Sequence, residues 1–223
     1  MLAYASQQPH QEVCGLVLDS GRVWLGRNVA PDPSCTFELD AADWAAASQL
    51  GAVVGVWHSH PQGGAEPSLI DRAMCERTAR AWHVVSAPDG DYRLIEPCGW
   101  QAPLLGRPYC YGLFDCWELV RDWQQREKGV PLPRLADAPD GWWYQRDLVP
   151  ALCEQAGLVR VAGAPQAGDV VLMRCDPESV GADHAAVYVG DGDILHQLRD
   201  RPSEKTRYGG YWQRATVAVL RAT

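Results

Sequence analysis

The chain has 223 residues, enough for one large or two small domains that each bury a core. With 47% hydrophobic residues it has a globular composition, and no apolar run approaches the roughly 20 residues of a membrane span. A net charge of -8 without a basic cluster leaves little to displace counterions from phosphate, so nucleic acid is excluded as an expected partner.

Eight cysteines include no C-x-x-C pair, and the N-terminus shows no basic segment followed by an apolar one. Most of the thiols are therefore expected to be buried, with synthesis in the cytoplasm. In chain order, residues 13–18 and 22–28 flank Asp19-Ser20-Gly21 and predict a hairpin. An alanine-rich helix is expected over 41–50, a nearly continuous apolar strand over 52–58, and a helix from Ser68 to about Arg80. Strands 82–86 and 92–95, parted by Pro88-Asp89-Gly90, complete an α/β unit.

From Pro97 to Pro108 the periodicity fails, which predicts a linker over 98–108 between domains 1–97 and 109–223. Downstream, helices are expected at 115–128 and 144–156, then strands at 169–174, 184–189, 194–197 and 216–220. Helices first and strands after make an α+β unit. The proline-rich stretch 130–139 predicts a surface or wrapping segment.

Side chains two apart on a strand point the same way, so His58 and His60 can present both imidazoles to one ion. Zinc needs a third ligand and an open position, and Asp71 at the start of the next helix can supply that ligand. Glu12, just before the first strand, is the candidate for moving the proton between water and leaving amine, and Ser68 for donating to the oxyanion. Singly these residues have ordinary readings: Ser68-Leu69-Ile70-Asp71 is also a capping box, and Glu12 could be a solvated charge. Together with Glu12-Val13-Cys14-Gly15, they resemble the JAMM (Mov34/MPN) metallopeptidases, whose pattern is a Glu followed by H-x-H-x(7)-S-x(2)-D. The resemblance implies an α/β JAMM domain with a central sheet flanked by helices, binding Zn2+.

A second constellation follows. Cys116 lies after Asp115 at the start of a helix, where orphan N–H groups and the dipole favour thiolate. His184 begins one strand and His196 lies on the next, across Gly190-Asp191-Gly192-Asp193. His184 would take the cysteine proton and His196 would fix its tautomer. A tight two-residue turn in plain register would put the two histidines on opposite faces, so an odd-length or bulged connection is expected, with both imidazoles on the face toward Cys116. A lone cysteine is more often an inert buried thiol, and His196 alone could be an interior histidine.

Tyr109-Cys110-Tyr111-Gly112 with Asp115-Cys116, Ala167-Gly168-Asp169, and His184 through Gly190 with His196 resemble the NlpC/P60 cysteine peptidases. That implies an α+β papain-like domain cutting peptide stems of bacterial peptidoglycan, often between D-glutamate and diaminopimelate, with Tyr109 near the nucleophile. The family's usual D-C-S-G is here Asp115-Cys116-Trp117-Glu118. The two domains in this order resemble the tail assembly protein K family of lambda-like bacteriophages. That resemblance implies a tail-tip component, made in the host cytoplasm and partnered by other tail-tip proteins, that helps the virion tail form or breach the wall; with the two hydrolase domains it reads as a tail-tip peptidase. The alternative is an assembly protein whose hydrolase domains serve as docking modules.

Overall fold

The computed structural model describes residues 1–135 and 141–222, which divide into two compact units, 1–102 and 103–223. The first begins with a short helix α1 (Leu2–Ala5), then strands β1 (Cys14–Leu18) and β2 (Val23–Gly26) form the expected hairpin. Helix α2 (Ala41–Ser48), strand β3 (Val53–His60), helix α3 (Leu69–Thr78) and strands β4 (Ala81–Ser86) and β5 (Tyr92–Ile95) follow. The sheet order is β2-β1-β3-β4-β5, antiparallel except for the parallel β3–β4 pair, whose crossover is α3.

Alternation divides this sheet's core in two. Leu16, Leu18, Val56 and Trp82 pack with Ala47 of α2 and Cys75 of α3, while Val13, Trp57 and Val85 on the other face pack with Ala5 of α1. Gly15 is required by close approach: a Cβ there would lie 1.9 Å from the Trp24 carbonyl and 2.4 Å from Trp57 Nε1, two atoms that hydrogen-bond across the sheet.

In the second unit, α4 (Cys116–Trp123) runs on into a π-helical turn (Gln124–Lys128), and a 3-10 turn (Trp142–Gln145) precedes α5 (Leu148–Gln155). The strands are β6 (Leu158–Arg160), β7 (Val170–Met173), β8 (His184–Gly190), β9 (Asp193–His196), β10 (Glu204–Arg207) and, after helix α6 (Tyr211–Ala215), β11 (Thr216–Ala222). They form one antiparallel sheet ordered β10-β9-β8-β7-β11-β6. Helix α4 lies on one face against Leu172, Ala185, Val187 and Leu195. Val171, Met173, Ala186 and Ile194 line the other, with Tyr208 and Trp212 beside them. A bidentate pair, Arg221 Nε and Nη2 to Asp169 at 2.7 and 2.8 Å, ties the entry of β7 to β11.

The segment after α4 wraps that helix, with Trp117 Nε1 donating to the Pro133 carbonyl and Arg121 Nε to that of Leu132. The rest of the proline-rich stretch, from 136 onward, lies outside the described residues. Residues 98–108, expected as a linker, carry no helix or strand but are anchored at both ends. The Glu76 carboxylate accepts from the backbone N–H groups of Cys98, Gly99 and Trp100, and Arg107 is fully buried, paired with Asp122 at 2.7 Å. Of the eight cysteines, Cys14 and Cys75 are buried as whole residues, Cys110, Cys116, Cys153 and Cys175 are partly buried, and Cys35 and Cys98 are exposed, because they fall on loops rather than on core-facing strand positions. No helix among the described residues is long and apolar enough to cross a membrane.

Two candidate active sites

The first site is built at the end of β3. The strand runs two residues further than its apolar stretch suggests, so His58 and His60 are both strand residues on the face that carries Val56 and α3. Ser59, pointing the other way, accepts from Val13 N at 3.0 Å. Cys14 pairs with His58 in the β1–β3 register, so Glu12, two residues earlier, comes opposite His60 and is buried. Asp71 reaches the same point from the first turn of α3. Its Oδ1 lies 3.2 Å from His58 Nε2, its Oδ2 lies 3.5 Å from His60 Nε2, and the two Nε2 atoms are 3.2 Å apart.

The capping box forms around the third member of this set. Ser68 Oγ accepts from Asp71 N at 3.1 Å, and Ser68 N donates to Asp71 Oδ2 at 2.8 Å, which fixes the carboxylate. Ser68 is exposed, so its hydroxyl proton remains free to donate outward. His60 Nδ1 lies 3.0 Å from the Gly64 carbonyl, which sets the tautomer that leaves Nε2 as a lone pair. His58 is stacked on Phe37, and its Nδ1 finds no hydrogen-bond partner among the described residues.

Two imidazole nitrogens and a carboxylate converge here, with the ligand atoms within 4.8 Å of one another. The Nε2–Nε2 edge and the His58 Nε2–Asp71 Oδ1 edge, both 3.2 Å, suit a tetrahedral ion whose bonds of about 2.0–2.1 Å imply edges of about 3.3–3.4 Å, while the 3.5 Å contact of His60 is with the other carboxylate oxygen. The residues present therefore fit zinc. Burial pushes the Asp71 carboxyl up, but the Ser68 N–H and, when they carry a proton at Nε2, the imidazoles of His58 and His60 outweigh it and hold it below the usual carboxylate range. Burial lifts Glu12 to about 7; His60 opposes this and Asp71 adds to it.

The second site is built on the β8–β9 hairpin. Asp191 and Gly192 form a two-residue turn, both at positive φ (52° and 80°), as the right-handed twist of a tight hairpin demands. The register shifts between Tyr188 and Gly190: Tyr188 faces Ile194 while Gly190 faces Asp193, which leaves Val189 as the extra residue of a bulge beside Gly190 at φ 97°. The shift brings Ala186 opposite His196, so His184 and His196 share a face, and His184 Nε2 lies 3.1 Å from His196 Nδ1.

Helix α4 packs on the opposite face of β8, through Ala185 and Val187, whereas the histidines share theirs with Trp212, whose ring centroid is 4.5 Å from that of His196 and 6.1 Å from that of His184. Strict alternation along β8 causes this, since His184 and Ala185 must point opposite ways. Cys116 reaches the strand's end from the N-terminus of α4, where its sulfur meets the backbone N–H of Ala185. Among the described residues no hydrogen bond joins the thiol to His184; Nε2 of His184 is taken by His196, so Nδ1 is the nitrogen left for it.

Asp115 caps α4, accepting from Glu118 N at 2.9 Å and from Gly112 N at 2.7 Å, which braces the loop before the cysteine. The thiolate expected from the helix N-terminus is not the favoured form: burial, and then the Asp115 charge, push the thiol up to about 12 against the pull of nearby amides. Burial and the neighbouring His196 press His184 down to about 3, so it is neutral and able to accept a proton. Tyr109 lies on the loop leading into α4, its ring 5.8 Å from the Arg199 guanidinium carbon. Trp212 and Glu204, whose Oε1 is 3.9 Å from His196 Nε2, are site residues that sequence reasoning missed. Both lie on short polar elements with no periodic signal.

Family models match both units: that of the NlpC/P60 family over residues 106–221, and that of prokaryotic homologs of the JAB domain over residues 1–95. The chain is 36% identical to tail tip assembly protein K of Escherichia phage N15, an alignment covering 99% of this chain and 92% of the relative. The chain belongs to the tail tip assembly protein K family. The member from Escherichia phage lambda is 33% identical, with 82% of this chain and 88% of that protein covered. Among solved structures, NlpC1 from Trichomonas vaginalis aligns at 21% identity over 53% of this chain and 39% of its own, with a TM-score of 0.36. The α/β JAB-like unit followed by an α+β NlpC/P60 unit is thus the architecture of this K-family chain.

Proposed function

We propose that the chain is a tail-tip peptidase with two hydrolytic sites, the C-terminal one cutting the peptide stems of bacterial peptidoglycan. The observation that carries this reading is the 3.1 Å His184–His196 contact on a bulged hairpin whose first strand also meets the sulfur of Cys116 at a helix N-terminus. Neutral His184 would take the thiol proton at Nδ1 as Sγ attacks the scissile carbonyl, forming the C–S bond. The same proton passes to the leaving amine as the C–N bond breaks, and His184 then activates the water that hydrolyses the thioester. The backbone N–H groups at the start of α4 are suited to the oxyanion, and Tyr109 would border the cleft.

The N-terminal set would hold zinc through His58, His60 and Asp71. When bound, zinc supplies Lewis-acid polarisation of a scissile carbonyl and acidifies the attacking water. Glu12 would carry the proton to the leaving amine, a task suited to a carboxyl lifted to about 7, and the Ser68 hydroxyl would donate to the oxyanion. The names of its relatives support a place at the phage tail tip with other tail-tip proteins as partners, and the same reading has the chain made in the host cytoplasm.

Mass spectrometry of purified muropeptides incubated with zinc-loaded wild type, Cys116→Ala and Asp71→Ala tests the reading. New stem fragments are expected from wild type and Asp71→Ala and none from Cys116→Ala. Intact muropeptides in all three reactions would leave the hydrolase domains as docking modules.

A further inference from the structure

His196 is fully buried, yet among the described residues only its Nδ1 has a hydrogen-bond partner and Nε2 has none. A buried imidazole must carry its proton on one nitrogen or the other, and the unpaired position decides which. For His184 to accept the cysteine proton at Nδ1, its Nε2 must already bear hydrogen and donate it to His196. His196 Nδ1 must then be the acceptor, with the His196 proton on Nε2. Without an acceptor facing Nε2 this arrangement buries an unsatisfied N–H, and the reverse one is favoured. In that reverse state His196 donates to His184, whose remaining proton sits on Nδ1 and blocks transfer from the thiol.

The residue directly across the β9–β10 ladder from His196 is Glu204. Cross-strand partners point to the same face, so its carboxylate rises beside the ring, with Oε1 3.9 Å from Nε2. That is about 1 Å beyond hydrogen-bond length, a gap that the half-exposed Glu204 side chain can close by a small torsion change. Among the described residues Glu204 makes no other ion pair, whereas its neighbours Lys205 and Arg207 both engage Asp193. The opposite side of the ring is closed by Trp212.

Resting on the peptidase reading above, we infer that Glu204 is a positioning residue that accepts from His196 Nε2–H and so sets the tautomers of the whole His196–His184 relay. The cysteine site then has a further member, supplied by the edge strand β10. As His184 becomes positively charged in the reaction, the carboxylate also opposes that charge through His196.

The test uses the full chain labelled with 15N-histidine, comparing wild type, Glu204→Ala and Glu204→Gln. Long-range 1H–15N correlation reports which ring nitrogen of His196 bears hydrogen, and muropeptide cleavage gives kcat and KM. Wild type and Glu204→Gln, which keeps an acceptor oxygen, should show His196 protonated on Nε2, and Glu204→Ala on Nδ1. In Glu204→Ala kcat should fall about tenfold, ~1.4 kcal/mol in barrier, with KM unchanged, and Glu204→Gln should restore most of it. A Glu204→Ala protein that keeps the Nε2–H tautomer and wild-type kcat would overturn the inference, as would a change confined to KM. If wild type cleaves no muropeptide, the hydrolytic reading fails by itself and the tautomer comparison still decides the role of Glu204.

Discussion

Acid should destabilise the C-terminal unit through His184. This imidazole titrates near its ordinary 6.5 in the unfolded chain but at about 3 when folded, because burial and His196 oppose the charged form. A group whose folded pKa is depressed in this way leaves the protein fully stable above 6.5 and costs stability as the pH falls toward 3, since only the unfolded chain takes up the proton. Between pH 7 and pH 5 the folded value lies below the whole window, so the unfolded pKa sets the size of the effect, about 2 kcal/mol from this one residue. Glu12 in the other unit acts in the opposite sense: its carboxyl, lifted to about 7, regains a proton on folding, so acidification relieves a cost there. The effect is therefore read as a difference between wild type and His184→Gln, in urea titrations followed at the β8 amide resonances. The stability gap between the two proteins should change by about 2 kcal/mol between pH 7 and pH 5, wild type losing more. Parallel losses would mean that His184 is solvated or charged in the folded protein.

Elemental analysis of protein purified without chelator should find one zinc in the N-terminal unit, lost in Asp71→Ala and kept in Glu12→Gln; metal-free protein that takes up no added zinc would reject the assignment. Because burial holds the Cys116 thiol well above the usual range, its alkylation by iodoacetamide should be slow at pH 7 and rise with pH; a fast plateau reaching down to pH 5 would reveal a thiolate–imidazolium pair instead. A fragment of residues 103–223 should unfold cooperatively, since Arg107 is buried against groups of its own unit; a disordered fragment would show that the halves share a core.

The legible parts were those with a strong local signal. Strand alternation located β1, β3, β4, β5, β7, β8, β9 and β11 to within about two residues. The H-x-H spacing and the Ser68-to-Asp71 helix start point to three candidate ligand groups, which the structure brings together. Parity counting along the hairpin anticipated the Val189 bulge, because a plain two-residue turn would have put His184 and His196 on opposite faces. What escaped notice depends on tertiary pairing. Strand β10 reads Glu-Lys-Thr-Arg, with no apolar face, and is a strand because it hydrogen-bonds to β9. Helix α6 is five residues long, and Trp212 gains its place beside the histidines from packing alone. The helix expected over 144–156 starts instead at Leu148, where the Asp147 side chain caps it. A helix N-terminus is visible in sequence, but the burial that raises the Cys116 thiol is not.

The proposed peptidase reaction requires Cys116 to form a covalent bond to a peptidoglycan stem. Intact mass measurement of acid-quenched reactions with muropeptides, followed by peptide mapping, addresses it directly. A transient adduct is expected, with the mass of the acyl half of the cleaved stem, on the peptide containing Cys116 and absent from Cys116→Ala. Stem cleavage that proceeds without any adduct and survives in Cys116→Ala would contradict it.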